Sequence, residues 1–125
     1  MEKQDRSVLV VEDDDGIREI MKLLLEIEGY NVVTAGNGQE GLEVLSKAPN
    51  MCLILLDLMM PVMNGWEFVE ALKDTGHADT PVVIVTAYAD QAAGAKCDGV
   101  IGKPIDLELL LKTVRKWCCN SGDHT

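Results

Sequence analysis

Asp57 closes a run of four aliphatic residues, Leu53–Leu56, and is followed by Pro61 and the turn pair Asn64-Gly65. A lone carboxylate at the end of an apolar run is costly unless something compensates its charge. Three other places in the chain hold residues of complementary chemistry. Glu12-Asp13-Asp14-Asp15 follows the apolar stretch SVLVV, Thr86 ends PVVIVT, and Lys103-Pro104 follows Val100–Gly102. Carboxylates close together repel by roughly 3 kcal/mol per pair at ~5 Å and an effective dielectric of ~20. A few carboxylate ligands with open positions suit Mg²⁺, which would relieve that repulsion. A lysine and a hydroxyl beside them could neutralise and orient phosphoryl oxygens. A carboxylate attacking phosphorus gives an aspartyl-phosphate, and Asp57 is where such a nucleophile would stand.

Short apolar runs bounded by turn residues read as buried strands, and they alternate here with helical spacing. The expected strands are Ser7–Val11, Asn31–Ala35, Met51–Leu56, Pro81–Thr86 and Val100–Gly102. The expected helices are Asp15–Glu28, with an apolar stripe of Ile17, Ile20, Met21, Leu24 and Ile27, then Gln39–Lys47 and Trp66–Lys73, with Trp66, Val69 and Leu72 inward. A short Ala-rich segment, Asp90–Lys96, and a last helix, Asp106–Cys119, complete the pattern. Strands alternating with helices imply an α/β fold, a doubly wound, flavodoxin-like five-stranded parallel sheet with helices on both faces. The fourth helix is expected to be short or missing. Ligands in such folds bind at the carboxyl ends of strands, where the acids, Thr86 and Lys103 fall. Residues 1–120 read as one domain and 121–125 as a loose polar tail.

The chain has 125 residues and a formal net charge of −10, which disfavours nucleic acid and anionic membranes as partners. No apolar run approaches the roughly 20 residues of a membrane span, and Met1–Ser7 lacks signal-peptide character. Cys52, Cys97, Cys118 and Cys119 form no CxxC pair, so reduced thiols in a cytoplasmic protein are the expectation. His77 reads as a loop residue.

The motifs VLVVEDD (Val8–Asp14), LLDLMMPVMNG (Leu55–Gly65), VTA (Val85–Ala87) and KP (Lys103–Pro104), in this order and spacing, resemble the receiver domain of two-component response regulators. The resemblance covers essentially the whole chain. It implies that Asp57 accepts a phosphoryl group from a phosphohistidine on a sensor histidine kinase or phosphotransfer protein. It implies that Glu12, Asp13, Asp57 and the backbone carbonyl of Met59 hold Mg²⁺, that Thr86 and Lys103 contact the phosphoryl group, and that the Lys103–Pro104 bond is cis. It implies a cytoplasmic signalling module, expected to be monomeric, that promotes its own phosphorylation and dephosphorylation without being a conventional enzyme.

Other readings compete. Asp14 or Asp15 could cap the first helix. Gly36-Asn37-Gly38-Gln39-Glu40-Gly41 matches GxGxxG, the dinucleotide fingerprint, but a tight turn and helix start explain the glycines better. A phosphatase with an aspartate nucleophile commonly has a second acid two residues on, where Met59 stands here. The remaining alternative is a receiver fold used as a docking module with little phosphorylation-driven switching. Val100 stands where the family usually has Tyr or Phe, Gly102 precedes the lysine, and the stretch from Thr86 to Lys103 is some five residues short. A ring-flip switch is therefore not expected, and Tyr88 is the aromatic expected to change environment.

Overall fold

The computed structural model describes residues 7–47, 50–60, 62–88 and 97–118. Five strands, β1 (Ser7–Val11), β2 (Asn31–Ala35), β3 (Leu53–Asp57), β4 (Val82–Thr86) and β5 (Gly99–Gly102), form one parallel sheet in the order β2-β1-β3-β4-β5. The described helices are α1 (Asp15–Ile27), α2 (Gly38–Lys47), α3 (Gly65–Leu72) and α4 (Leu107–Trp117). This is the doubly wound flavodoxin-like arrangement anticipated from the strand–helix alternation. The segment Asp90–Lys96 and the tail 121–125 lie outside the described residues.

Side chains alternate across the pleat, so each central strand feeds two cores. Val8, Val10, Leu53 and Leu55 pack with Met21 and Leu25 of α1 and Leu110 and Val114 of α4. Leu9, Val11, Ile54 and Leu56 pack with Leu45 of α2 and with Phe68 and Leu72 of α3. β1, β3 and β4 are buried along their whole length, as strands covered on both faces must be. No helix among the described residues is long and apolar enough to cross a membrane.

Local chemistry sets the helix starts. Asp14 is the N-cap of α1 and accepts from Ile17 N–H at 2.9 Å. Asn64 and Glu67 form a capping box on α3, and Asp106 caps α4. The GxGxxG stretch is explained in the same way. Asn37 Oδ1 accepts from Glu40 N–H at 2.9 Å at the start of α2. A Cβ on Gly38 would lie 2.9 Å from Met63 Cγ, and one on Gly41 2.9 Å from Phe68 Cε1. The glycines thus start a helix and let it pack closely.

Three expectations are corrected. The buried face of α1 is built on Met21 and Leu25, while Ile20 and Ile27 are 55% and 71% exposed. In α3 Leu72 is buried as expected, but the fully buried large side chain is Phe68, with Trp66 and Val69 only partly covered. Cys52 and Cys118 are not free thiols but a disulfide, with Cα atoms 5.4 Å apart. The turn at the start of β3 and the end of α4 meet at one edge of the first core, a pairing that sequence spacing does not reveal. Cys97 is a free cysteine, and Cys119 lies outside the described residues.

Candidate functional site

The sheet order places the carboxyl ends of β1 and β3 side by side. The register pairs Val11 with Leu56, so the next residues, Glu12 and Asp57, emerge as neighbours. Ligand oxygens of Glu12, Asp13 and Asp57 all lie within 4.8 Å of one another. Glu12 and Asp57 are buried, and Asp13 is exposed at the rim.

Glu12 is held from several sides. Its N–H donates to Ala35 O, its carbonyl accepts from Arg18 Nη1 at 2.9 Å, and its Oε2 accepts from Asp14 N–H at 3.1 Å. Arg18 also pairs with Asp15, which ties the first turn of α1 to the end of β1. Glu12 Oε1 faces Lys103 Nζ at 2.9 Å as an ion pair but lacks a well-directed hydrogen bond. Arg18 was not singled out in the sequence; its only local signal is the three-residue spacing from Asp15.

Lys103 follows β5, the edge strand, and its N–H donates to Thr86 O at 2.9 Å. Its side chain reaches back across the strand ends to Glu12 and lies 3.6 Å from Asp57 Oδ1. The Lys103–Pro104 peptide is cis, as the resemblance implied. Thr86 is fully buried, and its Oγ1 accepts from Tyr88 N–H at 2.9 Å. That bond leaves the hydroxyl proton for another partner. Met59 N–H donates weakly to Asp57 Oδ1 at 3.4 Å. Above these groups opens a cleft of about 450 Å³ lined by the acids, Ile17, Met59, Ala87, Tyr88 and Lys103.

Burial, then the charge of Glu12, and a hydrogen bond shared with Asp13 push the Asp57 carboxyl up to about 7, against the opposing pull of Lys103 and the Met59 N–H. Burial disfavours the Lys103 ammonium, but Glu12 and Asp57 outweigh it and raise the amine above its ordinary value. The site is therefore an oxygen-rich anionic pocket with one fixed cation. An all-oxygen donor set and a buried carboxylate oxygen with spare acceptor capacity fit a hard divalent cation. The sequence-selected residues Glu12, Asp13, Asp57, Met59, Thr86 and Lys103 all gather at this end of the sheet.

His77 was read as a loop residue. It does lie in the turn before β4, but it is 5% exposed, and its ring faces Leu45 O at 3.2 Å and Thr80 Oγ1 at 3.3 Å. It braces the end of α2 and lies outside the cleft lining.

Comparison with known proteins agrees with this geometry. The family model described as the response regulator receiver domain matches residues 8–115. A cyclic di-GMP phosphodiesterase of Thermotoga maritima is 40% identical over 109 residues, covering 83% of this chain and 28% of that protein. The chain spans 28% of that relative and 53% of a transcriptional regulatory protein of Bacillus subtilis. Among solved structures, the chemotaxis protein CheY4 of Vibrio cholerae superimposes with a TM-score of 0.80 at 33% identity, covering 89% of this chain and 97% of that one. The response regulator TrrA of Thermotoga maritima, solved in complex with Mg(2+)-BeF, gives a TM-score of 0.80 at 30% identity, covering 90% and 98%. With the fold, the strand-end acids and these likenesses together, the chain belongs to the response regulator receiver domain family.

Proposed function

We propose that this chain is a phosphoacceptor, taking a phosphoryl group onto Asp57 from the phosphohistidine of a sensor histidine kinase or phosphotransfer protein. The observation that carries the reading is Asp57 itself, a buried carboxylate at the end of β3. It lies within 4.8 Å of two further acids and 3.6 Å from a lysine ammonium. In the transfer, an Asp57 carboxylate oxygen bonds to phosphorus while the phosphorus–nitrogen bond breaks and the imidazole leaves. Lys103 balances negative charge on the phosphoryl oxygens, and the Thr86 hydroxyl donates to one of them. Glu12, Asp13, Asp57 and the Met59 carbonyl would hold Mg²⁺, which supplies further charge neutralisation to the phosphoryl group. The chain consumes one phosphoryl group per acceptor, so it works as a switch component of a phosphorelay and not as a conventional enzyme. Such relays operate in the cytoplasm, and we place this chain there.

The test is incubation with a small phosphodonor and Mg²⁺. One base-labile phosphoryl group is expected per chain, read by intact mass, and Asp57→Asn is expected to take none. Equal labelling of the Asp57→Asn chain would overturn the assignment.

A further inference from the structure

Cys52 and Cys118 are separated by 66 residues yet joined as a disulfide. Cys52 immediately precedes β3, and its N–H donates to Ser7 O at 2.9 Å, which fixes it beside the start of β1. Cys118 is the C-cap of α4, and its N–H donates to Val114 O at 2.7 Å. Both side chains pack against the core that α1 and α4 share. The bridge therefore ties the end of α4 to the strand that carries Asp57, at the end of the sheet opposite the acidic cleft. Asp57 lies about 16 Å further along that extended strand.

We propose that this pair is a thiol–disulfide exchange site, a redox input separate from Asp57, whose reactants are low-molecular-weight thiols and dithiol reductants. In a reducing compartment a disulfide is typically transient, catalytic or redox-sensing. That compartment argument rests on the phosphorelay reading; the geometry of the pair does not. The two residues differ in access, since Cys118 is 4% exposed and Cys52 only partly covered. An incoming thiolate therefore attacks Cys52 Sγ. The sulfur–sulfur bond breaks, its electron pair leaves on Cys118 Sγ, which takes up a proton, and the reductant is left bonded to Cys52. The second thiol of a dithiol then attacks its own sulfur in that mixed disulfide, becomes the oxidised reductant and releases Cys52 as a thiolate, which is protonated. Two electrons pass to the protein, and glutathione disulfide drives the reverse reaction. In the reduced state the end of α4 loses its covalent anchor, while the β1–β3 pairing that positions the acids is untouched.

The experiment uses the full chain carrying Cys97→Ser and Cys119→Ser, so that one pair remains. It is equilibrated across glutathione buffers from reduced to oxidised, quenched with acid and alkylated. The expected mass difference between the ends of the series is two alkyl groups, with a midpoint reached equally from both directions in folded protein. With Trp66→Phe added, Trp117 is the remaining tryptophan, and its emission is expected to change with the same midpoint. The bridged form is expected to melt about 10 °C above the dithiol form. Adding Cys52→Ser should remove the two-alkyl difference, leaving at most one alkylation or one glutathione adduct on Cys118, and should remove the fluorescence change. Failure of the bridge to form in oxidised glutathione would overturn the proposal, as would a bridge cleaved only after denaturation. Phosphodonor labelling of Asp57 in the same samples separates the readings. Its loss in every sample would strike the phosphoacceptor proposal and leave the midpoint standing; normal labelling with no midpoint would do the opposite.

Discussion

Lys103 Nζ lies 2.9 Å from Glu12 Oε1, nearer than the 3.6 Å that separates it from Asp57 Oδ1. The lysine is thus engaged with a candidate metal ligand rather than with the nucleophile. A divalent cation that takes Glu12 competes with this ion pair and frees the ammonium for a phosphoryl group. Lys103→Met is therefore expected to bind Mg²⁺ about tenfold more tightly, equivalent to about 1.4 kcal/mol, while labelling more slowly with phosphodonor. Calorimetric titration reads the first effect and intact mass the second. Weaker Mg²⁺ binding in the variant would contradict the competition.

The raised Asp57 carboxyl sets a pH dependence whose sign follows from linkage. The group titrates near 3.8 when unfolded and at about 7 in the native state. Between those values the native chain keeps a proton that the unfolded chain has lost, so native stability falls as pH rises through this window. Thermal melts of the metal-free protein should show the wild type declining relative to Asp57→Asn as pH increases toward neutrality. Parallel curves would mean that Asp57 ionises freely in the native state.

Mg²⁺ should reverse that decline. A ligand that binds only the native state adds about 1.4 kcal/mol at tenfold excess over its Kd. Asp13→Asn is expected to abolish the gain in melting temperature. Because it also removes one repelling charge, it should leave the metal-free protein at least as stable as the wild type. An undiminished Mg²⁺ shift in that variant would put the metal elsewhere.

Two glycines near the site should respond in opposite ways to alanine. A Cβ on Gly65 would lie 2.9 Å from Leu58 Cα and 3.1 Å from Asp57 O, both backbone atoms that cannot swing away. Gly65→Ala should cost about 3 kcal/mol and disturb phosphodonor labelling through the displaced β3 end. Gly102 has nothing within 4 Å of its Cβ position among the described residues and does not have a positive φ. Gly102→Ala should stabilise by about 0.5 kcal/mol through the unfolded state. Urea denaturation measures both.

Val62 has a φ of 71° and is 75% exposed. A β-branched residue in this left-handed region is strained and has little packing to lose. Val62→Asn is expected to stabilise the chain by about 1 kcal/mol, since asparagine tolerates this conformation. A destabilised variant in urea denaturation would show that the valine contributes contacts that outweigh its backbone strain.

The positions of the strands along the chain were legible because each strand announces itself by a short aliphatic run, and the boundaries of β1 and β2 match the expected ones residue for residue. β3 instead runs from Leu53 to Asp57, so the carboxylate belongs to the ladder itself. Helix rotation was less legible. α1 offers apolar residues on several adjoining rows, and α3 offers both Val69 and Phe68, so periodicity alone does not decide which row turns inward. The gathering of Glu12, Asp13, Asp57, Thr86 and Lys103 follows from topology and could be anticipated. The reach of Lys103 to Glu12 could not, because it depends on a side-chain path over neighbouring strand ends. The Cys52–Cys118 bridge and the brace made by His77 join residues far apart in sequence, and contacts of that kind leave no local pattern.

The pleat of β3 carries a consequence for folding fidelity. Leu53 and Leu55 serve one core, Ile54 and Leu56 the other, and the two sets are nearly interchangeable in size and greasiness. A slip of one residue toward the carboxyl end of this strand would keep both cores apolar, because alternation specifies register only when one face is polar. It would also carry Asp57 to the opposite side of the sheet, away from Glu12. A population trapped in that way would look compact by spectroscopy and yet be deaf to Mg²⁺. Hydrophobicity is an inattentive proofreader of this strand; the carboxylates, together with the tight seat of Gly65 under Leu58, are what tell the correct register from its neighbour.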